Sequence, residues 1–179
     1  MLEVAVTPED HAQGPESAPV ILVEYCDYEC PDCGHAYPIV KQIQNRFGKR
    51  LRFVFRNFPL SKIHPHAEGA AETAEFAGSQ GKFWEMHDLL LENQGRLGGI
   101  LYLALALKLE LPVDALREAL EGGTYRARVR ADFTGGMRSG VKGTPTFFVN
   151  GRRYAGPNEF EALVLAIDEA MGTDENAAS

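Results

Sequence analysis

The sequence predicts an α/β fold: a mixed sheet flanked by helices and interrupted by an inserted α-helical domain. Three observations predict it, namely an early β–α–β run, an unbroken helical block after it, and a closing β–β–α run. Val20 to Tyr25 is a short apolar run carrying one charge, Glu24, and reads as a buried strand. From Pro31 the period changes: Ala36, Val40, Ile43 and Phe47 recur at helical spacing until Gly48 stops them. Leu51 to Phe58 is aromatic and β-branched and ends at Pro59, which makes a second strand. Two strands joined through a helix open a parallel sheet. The preceding Thr7 to Pro19, rich in Pro and polar residues, reads as an irregular lead-in.

Helical patterns fill the middle of the chain, near Pro65–Ala77, Lys82–Glu92, Ile100–Leu109, Val113–Glu121 and Tyr125–Arg138. Gly-Gly and Leu-Pro breaks separate them. Thr146 to Val149 then reads as a strand, Asn150-Gly151 as a type I′ turn, and Arg152 to Ala155 as the returning strand. Phe160 to Met171 is a last amphipathic helix, followed by a frayed polar tail from Gly172 to Ser179. The two β-rich pieces complete each other. We therefore expect one domain from 1–61 and 141–179, with a helical domain inserted at 62–140.

A chain of 179 residues with 45% hydrophobic content is ample for one core. The net charge of −7 argues against a nucleic-acid or anionic-membrane partner, because phosphate binding needs concentrated positive charge. The most basic stretch, Arg126, Arg128 and Arg130, is expected to be a solvated helix face. Ile100 to Leu107 is the longest apolar run and falls well short of the roughly 20 residues that span a bilayer. The first residues carry no basic or apolar leader pattern, so the expected location is cytoplasmic, or periplasmic or extracytoplasmic if a leader was removed.

All three cysteines fall between Cys26 and Cys33, which reads as a site and not as a set of staples. Cys30 stands just before a helix with Pro31 in its first turn, where Pro is favoured. Unpaired N–H groups and the helix dipole lower the pKa of a thiol placed there. Cys33, one turn on, can close a disulfide with it. Cys30 is then the attacking thiol and Cys33 the resolving one. A Cys-x-x-Cys at a helix start after a strand is a strong signal.

The stretch Glu24-Tyr25-Cys26-Asp27-Tyr28-Glu29-Cys30-Pro31-Asp32-Cys33 resembles the active site of the DsbA family of thioredoxin-like oxidoreductases. Arg-Asn-Phe-Pro-Leu, His-Pro-His-Ala and Gly-Lys-Phe-Trp-Glu-Met-His-Asp, within residues 55–94, are similar to its bacterial branch. The resemblance implies a thioredoxin-like fold whose helical block is the family's inserted domain. It implies that Gly143-Thr144-Pro145-Thr146-Phe147 is the cis-proline loop packed against the redox pair. It also implies that Glu24 is a buried acid exchanging protons with the resolving cysteine. Pro31, Asp32, Thr144 and Pro145 would border the substrate, the backbone of Thr144 pairing with an extended segment. The implied partners are protein or peptide thiols and disulfides and a redox partner, with no membrane contact, no metal and no cofactor; a monomer is expected.

Two positions depart from the strongly oxidising members. Asp32 replaces a His, and with Glu29 and Asp27 it is expected to disfavour the Cys30 thiolate and make a milder couple. Cys26 is extra, either a buried small hydrophobe or an auxiliary thiol able to exchange with the pair. Other readings stay open. Cys26, Cys30, Cys33 and His35 have donor types suited to zinc, and the three-cysteine spacing also occurs at iron–sulfur clusters. A non-catalytic chaperone or interaction domain would use the same fold. His64, His66 and His87, near Glu68 and Glu72, are expected to cap or pack helices.

Overall fold

The computed structural model describes residues 1–177. Its sheet runs in the order β1 (His11–Gln13), β3 (Leu51–Asn57), β2 (Val20–Cys26), β4 (Thr146–Val149), β5 (Arg152–Arg153). The central pair β2–β3 is parallel, and the three other pairings are antiparallel. Helix α1 (Pro31–Phe47) makes the crossover between the parallel strands. The insertion between β3 and β4 holds α2 (Ala67–Ser79), α3 (Phe83–Glu92), α4 (Gly99–Lys108), α5 (Val113–Gly122) and α6 (Arg126–Arg138). Helix α7 (Phe160–Ala177) closes the described chain.

The period of two in the strands sorts the core onto two faces. Val20, Leu22 and Cys26 of β2, Phe53 and Phe55 of β3, and Phe147 and Val149 of β4 pack with α1, α7 and the insertion. The alternate residues Val23, Tyr25, Val54 and Phe148 pack with Phe58, Val141 and Phe133 on the other face. Parity therefore sends Glu24 and Cys26 toward α1. Register adds a second constraint: Glu24 stands opposite Phe55 on one side and Phe147 on the other.

Three expectations change. The lead-in is not wholly irregular, because His11–Gln13 completes the free edge of β3 as an antiparallel strand. Polar residues with no strand pattern adopt this conformation because a neighbouring edge offers unpaired backbone groups. The hairpin after β4 turns at Asn150 and Gly151, both at positive φ as a type I′ turn requires. Its return strand is only Arg152–Arg153, with one further bond from Tyr154 N to Phe147 O at 2.9 Å. The helical pattern of α7 does not end at Met171 but continues to Ala177; the expected frayed tail at Ala178 and Ser179 lies outside the described residues.

The arginines of α6 also differ from a purely solvated face. Arg126 and Arg130 are exposed, but Arg128 is half-buried and pairs with Asp132 and with Glu75 of α2. Trp84 is half-buried against Phe53 and Phe83. Among the described residues no helix is long and apolar enough to cross a membrane.

Candidate active site

Cys30 occupies the N-cap position of α1 in an extended conformation, with Pro31 beginning the helix. All three cysteines are free thiols and buried. The Cys30 Sγ lies 3.3 Å from the carbonyl oxygen of Thr144, and the Thr144–Pro145 peptide bond is cis. The loop before β4 thus meets the start of α1. Pro31 and Asp32 are exposed beside Cys30, whereas Cys33 is fully buried one turn deeper. His35 is exposed.

The two thiols of the pair titrate in opposite directions. Cys30 is lowered to about 5, first by a hydrogen bond from the Cys33 thiol. The Thr144 hydroxyl and the backbone N–H groups of Asp32 and Cys33 add to this, against the cost of burial. Thr144 Oγ1 is buried and without a partner while Cys30 is a thiol, so it is free to donate once the thiolate forms. Burial pushes Cys33 well above its usual range. A stabilised thiolate just under the exposed rim, paired with a protonated thiol one turn deeper, is the division of labour that disulfide exchange requires.

The expected effect of the nearby acids is not what the geometry delivers. Asp27 is buried, but its carboxylate accepts the N–H groups of Glu29 and Leu60, each at 2.8 Å, and contacts His64 Nδ1 at 2.8 Å. This partner raises the His64 pKa despite the opposing effect of desolvation. Glu29 accepts the backbone N–H of His66 at 2.6 Å, and Asp32 points into solvent. Two of the three carboxylates are therefore engaged by donors, and the third is screened by water. Apart from the Glu29 N–H, these donors come from the distant loop between β3 and α2, which no local sequence pattern reveals.

Beneath the pair, burial pushes Glu24 up to about 8 and Cys26 up to about 12. Glu24 is 4% exposed and Cys26 1%. The loop from Asp27 to Cys30 is held from outside by Gln94, whose Nε2 donates to the carbonyls of Tyr28 and Cys30, both at 2.8 Å. Nothing in the local sequence signals this residue. His87, also buried, contacts the Tyr28 hydroxyl at 3.0 Å and is driven down to about 3 by burial, so it sits neutral among Phe55, Phe83 and Trp84. His66 begins α2 without a side-chain cap. Among the described residues no group of three or more His, Cys, Asp or Glu side chains is arranged to hold a metal ion.

Comparison with known proteins places this geometry among relatives. A family model described as "Thioredoxin" matches residues 6–169. A solved thioredoxin-like oxidoreductase from Silicibacter pomeroyi is 27% identical with a TM-score of 0.80, covering 92% of this chain and 93% of that one. BdbD from Bacillus subtilis superposes with a TM-score of 0.82 at 24% identity, covering 90% and 92%. A curated relative from Salinispora arenicola named Na(+)/H(+) antiporter NhaA 1 is 49% identical over 171 residues; the match covers 95% of this chain but only 26% of that protein.

These neighbours correct the expected cytoplasmic location. The matched oxidoreductase structures favour the extracytoplasmic alternative over the cytoplasmic one. The first residues of a sequence from which a leader has been removed carry no leader pattern, so their composition does not report a compartment.

Proposed function

The chain belongs to the thioredoxin family, and from that premise we propose that it is a DsbA-like protein disulfide oxidoreductase with Cys30 as nucleophile and Cys33 as resolving thiol. The observation that carries this reading is the split within one pair: Cys30 lowered to about 5 at a helix start, Cys33 buried and raised. In the reducing direction the Cys30 thiolate attacks a substrate disulfide, and one substrate sulfur leaves as a thiolate. Cys33 then attacks Cys30 Sγ, the internal disulfide forms, and the second substrate sulfur leaves. The oxidising direction is the reverse. A low-pKa Cys30 is a good leaving group, which favours giving the disulfide away.

Substrate recognition is assigned to the surface around Cys30. Pro31 and Asp32 form its exposed rim, and the cis Thr144–Pro145 loop faces the sulfur. An extended protein segment lying along Thr144 would pair with its backbone as an added strand. Glu24 is the buried acid that trades protons with the interior thiols.

Insulin reduction and scrambled-ribonuclease refolding test the reading. The wild-type chain should catalyse both, Cys30→Ser neither, and Cys33→Ser should accumulate a substrate mixed disulfide. Background rates for the wild type would overturn it. A second reading, an interaction domain that binds without exchanging disulfides, draws on the antiporter-named relatives, of which the chain spans about a quarter. That reading predicts substrate binding by the Cys30→Ser, Cys33→Ser double variant as well as by the wild type, with no turnover from either.

A further inference from the structure

The exchange chemistry needs a proton to leave and re-enter Cys33, which is sealed from water at 0% exposure. The buried acid that would take it, Glu24, is on β2, and the residue placed between them is Cys26. Strand alternation puts Glu24 and Cys26 on the same face of β2, turned toward α1. The Cys33 Sγ accepts the backbone N–H of Asp27 at 3.3 Å, so it rests against the peptide that follows Cys26. The Cys26 thiol donates to the carbonyl oxygen of Asp27 at 3.9 Å, in the same residue whose N–H meets Cys33, and its titration is moved by the Cys33 thiol and by the Glu24 carboxyl. Cys33 in turn donates to Cys30. The four groups form one buried file: Glu24, Cys26, Cys33, Cys30.

We propose that Cys26 is the proton relay between Cys33 and Glu24, a positioning role that rests on the disulfide-exchange reading. In the mixed disulfide, Cys30 Sγ is bonded to a substrate sulfur. The Cys33 S–H passes its proton to the Cys26 sulfur while Cys26 passes its own to the Glu24 carboxylate. The Cys33 thiolate attacks Cys30 Sγ, the Cys30–Cys33 bond forms, and the bond to substrate breaks. The substrate leaves as a thiolate and takes a proton from water. Two protein thiols are oxidised and one substrate disulfide is reduced by the same electron pair.

Cys26 ends the step as the neutral thiol it was at the start. That suits a group pushed up to about 12 by burial, since it is never asked to hold the charge. Glu24, at about 8, both accepts and returns a proton near neutrality. The other ionisable groups facing this file are Asp27 and Tyr28 from the β2–α1 segment. The flanking strands present Phe55 and Phe147 to Glu24, and Asn57 to Cys26, none of which titrates.

The test separates attack from resolution. Reduced protein is mixed with oxidised glutathione, quenched in acid, and weighed by mass spectrometry to follow the Cys30–glutathione adduct and its conversion to the internal disulfide. In Cys26→Ala the adduct should form but resolve at least about tenfold more slowly, with the rise in rate moved to more alkaline pH. Cys26→Ser, which keeps a donor and acceptor, should restore most of the rate and the wild-type pH profile. Cys26→Val, which fills the space without a donor, should resemble Cys26→Ala. Resolution at the wild-type rate in the Ala and Val variants overturns the relay, as does a Ser variant no faster than Val. Should the wild type form no adduct, the disulfide-exchange reading fails and takes the relay with it.

Discussion

Cys30 and Glu24 depart from their ordinary titration in opposite senses because one is met by donors and the other by hydrocarbon. For Cys30 the donors are the Cys33 thiol, the Thr144 hydroxyl and the first N–H groups of α1. We expect iodoacetamide labelling of Cys30 in reduced protein to be half-maximal near pH 5, whereas a solvent-like thiol would titrate near 9. An alkylation profile with its midpoint above pH 8 would remove this account. Glu24 behaves in the reverse sense. Its folded pKa is raised from 4.5 to about 8, so the native state is favoured while the carboxyl stays protonated. That advantage is complete below the unfolded pKa and is lost as pH rises from about 4.5 through about 8. Glu24→Gln should therefore match the wild type near pH 4.5 and exceed it in stability at pH 8, by about 4 kcal/mol. Urea titrations at the two pH values check it, and equal differences at both would refute it. Cys30 and Cys33 were legible from spacing and helix position, and Pro145 through the resemblance to the DsbA family. The donors that quiet Asp27 and Glu29 were not, since His64, Leu60 and His66 reach them only after folding.

At the scale of elements, the reactive loop depends on a contact no periodic pattern announces. Gln94, just beyond α3, donates to two carbonyls of the segment that launches α1. The helix makes room by carrying Gly34 there: a Cβ at that position would lie 2.1 Å from Gln94 Oε1. The obstacle is the end of a side chain, so the clash would be relieved by moving Gln94, at the expense of its hydrogen bonds. Gly34→Ala and Gln94→Ala should each destabilise the protein by about 1–2 kcal/mol, the value of two lost bonds offset in the first case by helix propensity. The two losses should not add. In the Gln94→Ala background, Gly34→Ala should become neutral or stabilising by up to about 1 kcal/mol. A double-mutant cycle on denaturation midpoints decides, and additive losses would show that Gly34 and Gln94 act separately. The same scale explains why β1 escaped sequence reading. His11–Gln13 has no strand character of its own, and the free edge of β3 alone makes it one.

At the scale of the whole molecule, one buried polar network fastens the insertion to the sheet. Asn57, the last residue of β3, donates its backbone N–H to Asp132 of α6 at 3.0 Å and its side-chain amide to Glu75 of α2 at 2.7 Å. Arg128 pairs with Asp132, and Glu75 reaches back to His11 of β1 at 2.9 Å. Arg56 continues the network into the N-terminal segment, binding Asp10 and the carbonyls of Val4 and Ala5. The helix order was readable from Gly and Pro breaks, but this junction was not, because its members are separated by as many as 75 residues. A junction of this kind makes the insertion and the sheet unfold together. Asp132→Ala should leave the Asn57 N–H unpaired and the Arg128 guanidinium with Glu75 as its remaining partner, and cost about 2–3 kcal/mol. Trp84, on α3, reports the insertion by fluorescence, and far-ultraviolet circular dichroism reports the whole chain. In the wild type the two urea transitions should coincide, and in Asp132→Ala both should move to lower denaturant by the same amount. A Trp84 transition that separates from the circular dichroism transition in the wild type would mean that the helices melt on their own, and the network would then be a contact between independent units.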